Sequence, residues 1–537
     1  MKEKFSGWFV LLIQYLKGDR KKILFWTLGL TLFCGGFVPA FEEIAKGKGL
    51  VGMYETLKNP AMISLVGPTP AKEAADYTLG AMYVHEMLLF CGLFAMILSG
   101  LHIISHTRKD EELGVTELLR SFQVGRQASS LAVFVETILI NLLMVFMIAG
   151  LMFSFSVKGL DTQGILLYSF SIGAAGIMGA GMALIFAQIM TTSSGAISGL
   201  LSLLGLLYIL RAGTDTSAVD LSYLNPMSWI YLTYPFTENN WNVLLYAAVF
   251  LVGCFITAAI LENYRDLATG YFSERRGQAR AGRTLLSVPG LLFRVNRTTI
   301  VSWLIGYLIL GATYGSIYGD MGTFLSSNQL VEQMFANAGV SLEKSFTTSI
   351  MMVMILLAII LPIVVVNKLF NEEVHGRLSQ FYVTDITRAR LYGWVFLFAV
   401  FFGGLSILFA AGALGATAIF VTDGKAGLSF SDFLTAGINY FPALLFFIGM
   451  STCFLGWLPK LGKLVYAYLS YTFVLSYFGN ILDFPDWFNK TSILSWIPAM
   501  PTDQFELRVF LLLTLFGLLL CLLGLLGYRH RDFIENI

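Results

Sequence analysis

Charge is scarce in this chain. Only 13% of its 537 residues are Asp, Glu, Lys or Arg, and 56% are hydrophobic; an ordinary soluble domain is about one-quarter charged. A chain built mainly of soluble domains is therefore excluded. The formal net charge of +1 offers no field for nucleic acid or an acidic substrate. Cysteine is sparse too: Cys34, Cys91, Cys254, Cys453 and Cys521 all fall in apolar stretches. They read as packing residues rather than disulfides or metal ligands. Five histidines, His85, His102, His106, His375 and His530, read as scattered, and no metal site is assigned. No Gly-x-x-x-x-Gly-Lys-Ser/Thr phosphate loop occurs; Leu461-Gly-Lys-Leu464 lacks the earlier glycine and the hydroxyl. No stretch between apolar runs is long enough for a nucleotide-binding domain. No nucleophile, base and metal come together, so no catalytic residue is assigned. If ATP drives this protein, ATP and Mg bind another polypeptide.

What the chain has instead is long apolar runs. A helix needs about 20 residues to cross a bilayer. Twelve crossings are expected, at 23–40, 81–105, 129–157, 163–190, 194–213 and 241–263, then at 298–318, 347–368, 391–421, 431–457, 461–482 and 504–527. Residues 5–16 are too short to cross; with Lys17, Arg20, Lys21 and Lys22 behind them they suggest an interfacial helix and an aqueous corner. Residues 284–295 mirror that helix. The segments that carry most of the 35 Lys and Arg fall on one side if the N-terminus is inside. The positive-inside rule then puts both termini in the cytoplasm. The expected fold is an all-α integral membrane protein.

One charged pattern occurs twice. Asp110, Glu111, Gly114 and Arg126 recur 262 residues later as Glu372, Glu373, Gly376 and Arg388. Arg20, Trp26 and Gly29 recur as Arg297, Trp303 and Gly306; Ser228-Trp229 as Ser495-Trp496; Arg265-Asp266 as Arg531-Asp532. This order of polar residues implies an internal repeat of two six-helix halves, 1–264 and 298–537, joined by a basic linker, 265–297. An even number of crossings per half makes the halves parallel. Each charged patch lies between the second and third crossing of its half. Glu111, Glu112, Glu117 and Arg120, or Glu372, Glu373 and Arg377, suggest a short amphipathic helix on the inner surface. Leu113, Leu118, Leu119 and Phe122 are expected to be buried and the acids to face water. A plain solvated loop is the bland alternative, but three consecutive acids, Asp110 to Glu112, do nothing for the positive-inside rule. A docking surface for a partner accounts for them better.

Other polar or aromatic positions stand out. Glu136 lies within an apolar run, where an ionisable group faces protein or a water-filled cavity; its counterpart is Phe398. Phe90, Phe94 and Asn480 join it as candidates for a substrate path. Segments 222–241 and 487–503, with Trp229, Pro235, Trp496 and Pro498, suggest either an aromatic belt or an outer lid.

Taken together these residues resemble the membrane component of type-2 ABC exporters, in the fused twelve-crossing form known as polyketide-antibiotic or multidrug exporters. The resemblance rests on Asn59-Pro60 with Gly67-Pro68, on Glu111-Glu112-x-Gly114 with Glu117-Leu-Leu119 and Val124-x-Arg126, on Ser228-Trp229 with Pro235-Phe236 and Trp241, and on Arg265-Asp266-Leu267-x-x-Gly270 with Arg276-Gly277. The Gly-Arg usual in the coupling segment is intact only as Gly376-Arg377; the first half has Gly114-Val115. The resemblance implies export of small hydrophobic or amphipathic compounds across the plasma membrane. It also implies two copies of a separate ATPase beneath segments 108–126 and 370–390. A twelve-helix transporter driven by an ion gradient, and a membrane scaffold, are the alternatives. Near-isolation of Glu136 weighs against the first, because ion-driven transporters place several ionisable groups near the midplane.

Overall fold

The computed structural model describes residues 2–46, 49–58, 60–69, 71, 73–272, 280–320, 342–384, 386–424, 427–482 and 485–532. These residues are almost wholly helical, as they must be where lipid leaves no water for backbone groups. Long helices form two compact units, dividing between Gly277 and Gln278. The first unit holds α1 (Trp8–Gly35), α2 (Leu79–His106), α3 (Ala128–Phe155), α4 (Thr162–Ile189), α5 (Ser193–Ser217) and α6 (Asn242–Tyr264). The second holds α7 (Val288–Ser316), α8 (Leu342–Val374), α9 (Arg388–Val421), α10 (Phe441–Trp457), α11 (Leu464–Leu482) and α12 (Leu507–His530). Among the described residues, eleven helical stretches are long and apolar enough to cross a membrane. The expected crossing at 461–482 corresponds to α11, 19 residues long.

Packing follows one scheme in each unit. α1 lies on α3, α2 on α3 and α4, and α4 on α6; α7 lies on α9, α8 on α9 and α10, and α10 on α12. Within lipid, close backbone approach replaces the hydrophobic effect as the source of helix association. The α10–α12 contact shows this: a Cβ added at Gly449 would lie 2.6 Å from the Gly517 carbonyl oxygen, and one at Gly456 would lie 2.4 Å from that of Gly524.

Two expectations about helix boundaries are corrected. Residues 5–16 are not a separate interfacial helix, because α1 runs unbroken from Trp8 through Lys17–Lys22. Lys and Arg are good helix formers, and Asp19 takes an ion pair from Lys22 at 2.8 Å. Residues 284–295 likewise run into α7 after one 3-10 turn at Arg283–Leu286. The span expected at 431–457 is present as Phe430–Trp457; within it the helix is divided into Phe430–Ile438 and α10, with Pro442 in the first turn of the second, where proline fits.

Candidate functional site

The charged segments take their shape from a glycine. In the first unit α2 ends at His106 and two short helices follow, Arg108–Glu112 and Val115–Arg120. Gly114 joins them at φ +75°. In the second unit α8 continues to Val374, and Gly376 at φ +69° turns the chain toward Ser379–Tyr382. Only glycine adopts this left-handed backbone without steric cost. Thus Glu372 and Glu373 lie on the last turn of a long helix rather than on a separate amphipathic one.

Each segment is bonded to the residue that follows the sixth helix of its unit. Arg265, next after α6, donates Nη1 to Glu111 Oε1 at 2.7 Å and Nη2 to Glu111 Oε2 at 2.8 Å. Arg531, next after α12, donates Nη1 to Glu373 Oε1 at 2.6 Å and Nη2 to Glu373 Oε2 at 2.5 Å. The Nε of Arg265 donates to Gln188 Oε1 at 2.9 Å, and that of Arg531 to the Leu455 carbonyl at 3.0 Å. Arg126 donates to the Arg265 carbonyl, and Arg388 to that of Arg531 at 2.5 Å. Two parallel bonds per pair fix direction as well as distance. Glu111 has more company: the Ala268 amide donates to it at 2.6 Å, and Arg108 Nη1 lies 3.2 Å away.

The face these segments present reverses the expected one. Glu111 is 7% exposed and Glu373 2%, whereas Leu113, Leu118 and Phe122 are 66%, 64% and 65% exposed. A bidentate arginine offsets the cost of burying a carboxylate, and that frees the leucines to face outward. Leu119 alone of the four packs inward, against a small cluster with Leu11 and Ala132. Glu112 accepts from the amide and hydroxyl of Ser193, both at 2.6 Å. It thereby places negative charge at the N-terminus of α5, where the helix dipole favours it. Glu372 pairs with Arg377 at 3.0 Å near the surface, and Glu117 is exposed. The second segment's outward face is mixed, with His375, Arg377 and Val383 exposed.

The candidate path residues do not converge. Glu136 on α3 is fully enclosed, with Oε2 3.2 Å from His102 Nε2. Phe90 packs partly into the core of the first unit, and Phe94 meets Phe33 edge to face with half of its surface open. Asn480 lies on α11, and its side chain is outside the described residues. The two tryptophans share a local form: the indole of Trp229 donates to the Tyr223 carbonyl at 2.7 Å, and that of Trp496 to the Lys490 carbonyl at 3.0 Å, six residues back in each case. Each lies on a short 3-10 helix, Ser228–Ile230 or Ile493–Trp496. Pro235 is buried, and the Pro498 carbonyl accepts from Asn439 at 2.7 Å.

Three features escaped sequence reading. At the end of α5 remote from the charged segment, fully buried Arg211 pairs with Asp215 at 3.0 Å and donates to the Ser64 and Leu65 carbonyls at 2.5 Å. Tyr231 and Ser222 both donate to Asp215. The spacing of four between Arg211 and Asp215 within an apolar span was the available signal. In the second unit a cavity of about 450 Å³ is lined by Ser345, Thr348, Ser349, Ser492, Thr502 and Asp503 among others. Finally, His102 and His106 are one helical turn apart on α2 and meet Asp19 of α1.

Fold and site together define a multi-pass, all-helical membrane protein. Residues 285–529 match the family model for the C-terminal domain of the multidrug efflux system permease Rv1217c. Over 535 residues the chain is 24% identical to the multidrug efflux system permease protein Rv1217c of Mycobacterium tuberculosis (strain ATCC 25618 / H37Rv), covering 98% of this chain and 95% of that protein.

Proposed function

We propose that this chain is the membrane-spanning subunit of an ATP-driven efflux system of the type-2 ABC class, moving hydrophobic or amphipathic, drug- or antibiotic-like compounds out of the cell. It works in the plasma membrane as two parallel six-helix halves, twelve crossings in all, with both termini and both charged segments in the cytoplasm. Two copies of a separate ATPase bind ATP and Mg and dock beneath segments 108–126 and 370–390. Similarity along nearly the whole chain to a multidrug efflux permease supports the efflux reading. A sequence without a phosphate loop supports the separate ATPase.

The observation that carries the proposal is the paired arginine fork. A partner that pushes on the first segment moves Glu111, and Glu111 is bonded to Arg265 at the foot of α6. The second segment is linked to α12 in the same way through Glu373 and Arg531. Displacement at the surface thus reaches a transmembrane helix through two charge-assisted bonds rather than through a compliant loop. A shift requires a partner whose contacts differ between two states, which an ATPase closing on nucleotide supplies. Leu113, Leu118 and Phe122 form the apolar face on which the first ATPase seats.

The test is a search of the neighbouring reading frames for an ABC ATPase and its co-expression with this chain. The expected result is a complex that survives purification and dye efflux that orthovanadate blocks. Leu118→Asp with Phe122→Asp should remove the ATPase from the complex while the permease still purifies as a folded protein. Efflux that resists orthovanadate and stops when the ion gradient collapses would replace this reading with the gradient-driven one.

A further inference from the structure

Asp19, His102 and His106 come from two helices of the first unit, and one potential ligand atom from each lies within 4.8 Å of the other two. All three side chains are largely enclosed. The hydrogen bonds around them are divided in a telling way. His102 uses Nε2 toward Glu136 Oε2 at 3.2 Å, and His106 has Asp110 Oδ2 3.6 Å from its Nδ1. Asp19 uses Oδ1 for Lys22 at 2.8 Å. What remains is one atom on each residue: His102 Nδ1, His106 Nε2 and Asp19 Oδ2 are all buried and without a hydrogen-bond partner. The last two face each other at 2.5 Å without the alignment of a hydrogen bond.

We propose that these three atoms are the protein ligands of a divalent transition-metal ion of the zinc class. Two imidazoles and a carboxylate are a donor set suited to Zn²⁺ or Co²⁺. A carboxylate behind each imidazole is the arrangement that fixes tautomer and ring orientation in such sites. Charge balance points the same way. Three carboxylates, Asp19, Asp110 and Glu136, and one ammonium, Lys22, surround the two imidazoles, so a dication could take the place of the positive charge that a protonated His106 gives Asp19. Ligand atoms about 2.0–2.2 Å from zinc lie roughly 3.3 Å apart in a tetrahedron, so a modest rotation of His106 away from Asp19 opens the site. In the aligned positions the second unit has Asn296, Val364 and Lys368, which supply no such set. The ion would pin α1 to α2 next to the first charged segment. This proposal is independent of what the protein transports.

The experiment uses the full-length, tag-free chain in detergent, stripped with chelator and titrated with Co²⁺. One Co²⁺ per chain with the intense visible bands of a four-coordinate site is expected, displaced by Zn²⁺. His102→Gln with His106→Gln should abolish those bands, and Asp19→Asn should weaken binding at least tenfold. Glu136→Gln, which leaves all three ligands in place, should weaken it by about 10–100-fold at unchanged stoichiometry. Gel filtration checks that each variant is folded. Wild-type protein that stays free of Co²⁺ at micromolar concentration overturns the proposal, as does equal binding by the double histidine variant. If the variants misfold, metal content of the wild-type chain after dialysis against Zn²⁺ decides: one equivalent sustains the site, and none removes it.

Discussion

The two units hold their charged segments by the same fork and surround that fork differently. Glu111 sits between Arg265 and Arg108 and also takes the Ala268 amide. Glu373 has Arg531 as its bidentate partner, and Phe370 stands where the first unit has Arg108. One turn deeper the contrast widens. Asp19, His102, His106 and Glu136 make a buried polar cluster in the first unit, against Asn296, Val364, Lys368 and Phe398 at the aligned positions in the second. The outward faces differ as well: the first exposes Leu113, Leu118 and Phe122, whereas the second exposes Val383 beside His375 and Arg377. What both units share is the fork and the left-handed glycine, the parts that transmit a push under the proposed function. What differs is the surface a partner touches and the chemistry behind it. Under the proposed function, the two ATPases therefore meet unlike seats, and the first seat is the more apolar.

The largest effect should come from breaking a fork. Glu111→Ala leaves Arg265 and Arg108 enclosed without their carboxylate, which for a buried pair costs about 3–5 kcal/mol. Glu373→Ala strands one arginine that is partly open to solvent, so its cost should be smaller. Thermal unfolding of the full-length protein in detergent measures both. A larger loss at Glu373 than at Glu111 would mean that the enclosure of Arg265 and Arg108 does not set the cost of losing Glu111.

How much of this was legible beforehand depends on distance along the chain. Asp110, Glu111, Gly114 and Arg126, with Glu372, Glu373, Gly376 and Arg388, stand out because polar residues in fixed order are rare between apolar spans. Arg265 and Arg531 stand out for the same reason. Their pairing was not legible, since partners 154 and 158 residues apart meet only once the helices are packed. The outward leucines were misread because two helices of five and six residues, broken at Gly114, are too short for amphipathic periodicity to orient them. His102 and His106 carry a readable spacing of four on one helix, yet Asp19 joins them only through the α1–α2 contact. The corner expected at Lys17–Lys22 fails for a different reason: charge marks where a helix leaves lipid, but it does not break the helix.

The far ends of the units offer a second contrast, sealed against hollow. Asp215→Asn keeps shape but removes the charge that Arg211, Tyr231 and Ser222 all address. Arg211 retains the Ser64 and Leu65 carbonyls, so a loss of about 2 kcal/mol is expected, the scale of a hydrogen bond to a charged group. In the second unit Thr348→Val removes a hydroxyl that bonds the Lys344 carbonyl at 2.9 Å, the Ala499 carbonyl at 3.5 Å and, on the wall of the 450 Å³ cavity, the Thr502 hydroxyl at 2.8 Å. Water can replace it at Thr502, so stability should fall by no more than about 1 kcal/mol. Efflux measured beside unfolding adds a further discrimination: if the cavity takes cargo, Thr348→Val should change transport more than it changes stability, and Asp215→Asn should do the reverse.

A small effect, alike in both units, tests what they have in common. Gly114 and Gly376 hold φ +75° and +69°, and neither has a neighbour within 4 Å of where a Cβ would stand. Substitution by alanine therefore meets no steric clash with another residue and costs only the left-handed backbone, about 1–2 kcal/mol. Asparagine tolerates that conformation better than alanine does, so Gly114→Asn and Gly376→Asn should lose less. The prediction is an equal fall at the two positions for alanine and an equal partial recovery for asparagine, read from unfolding temperatures. If one glycine matters more than the other, its segment does not keep the same turn once the protein is in solution. The likeness of the two forks would then be confined to the bonded residues and would not extend to the turns that present them.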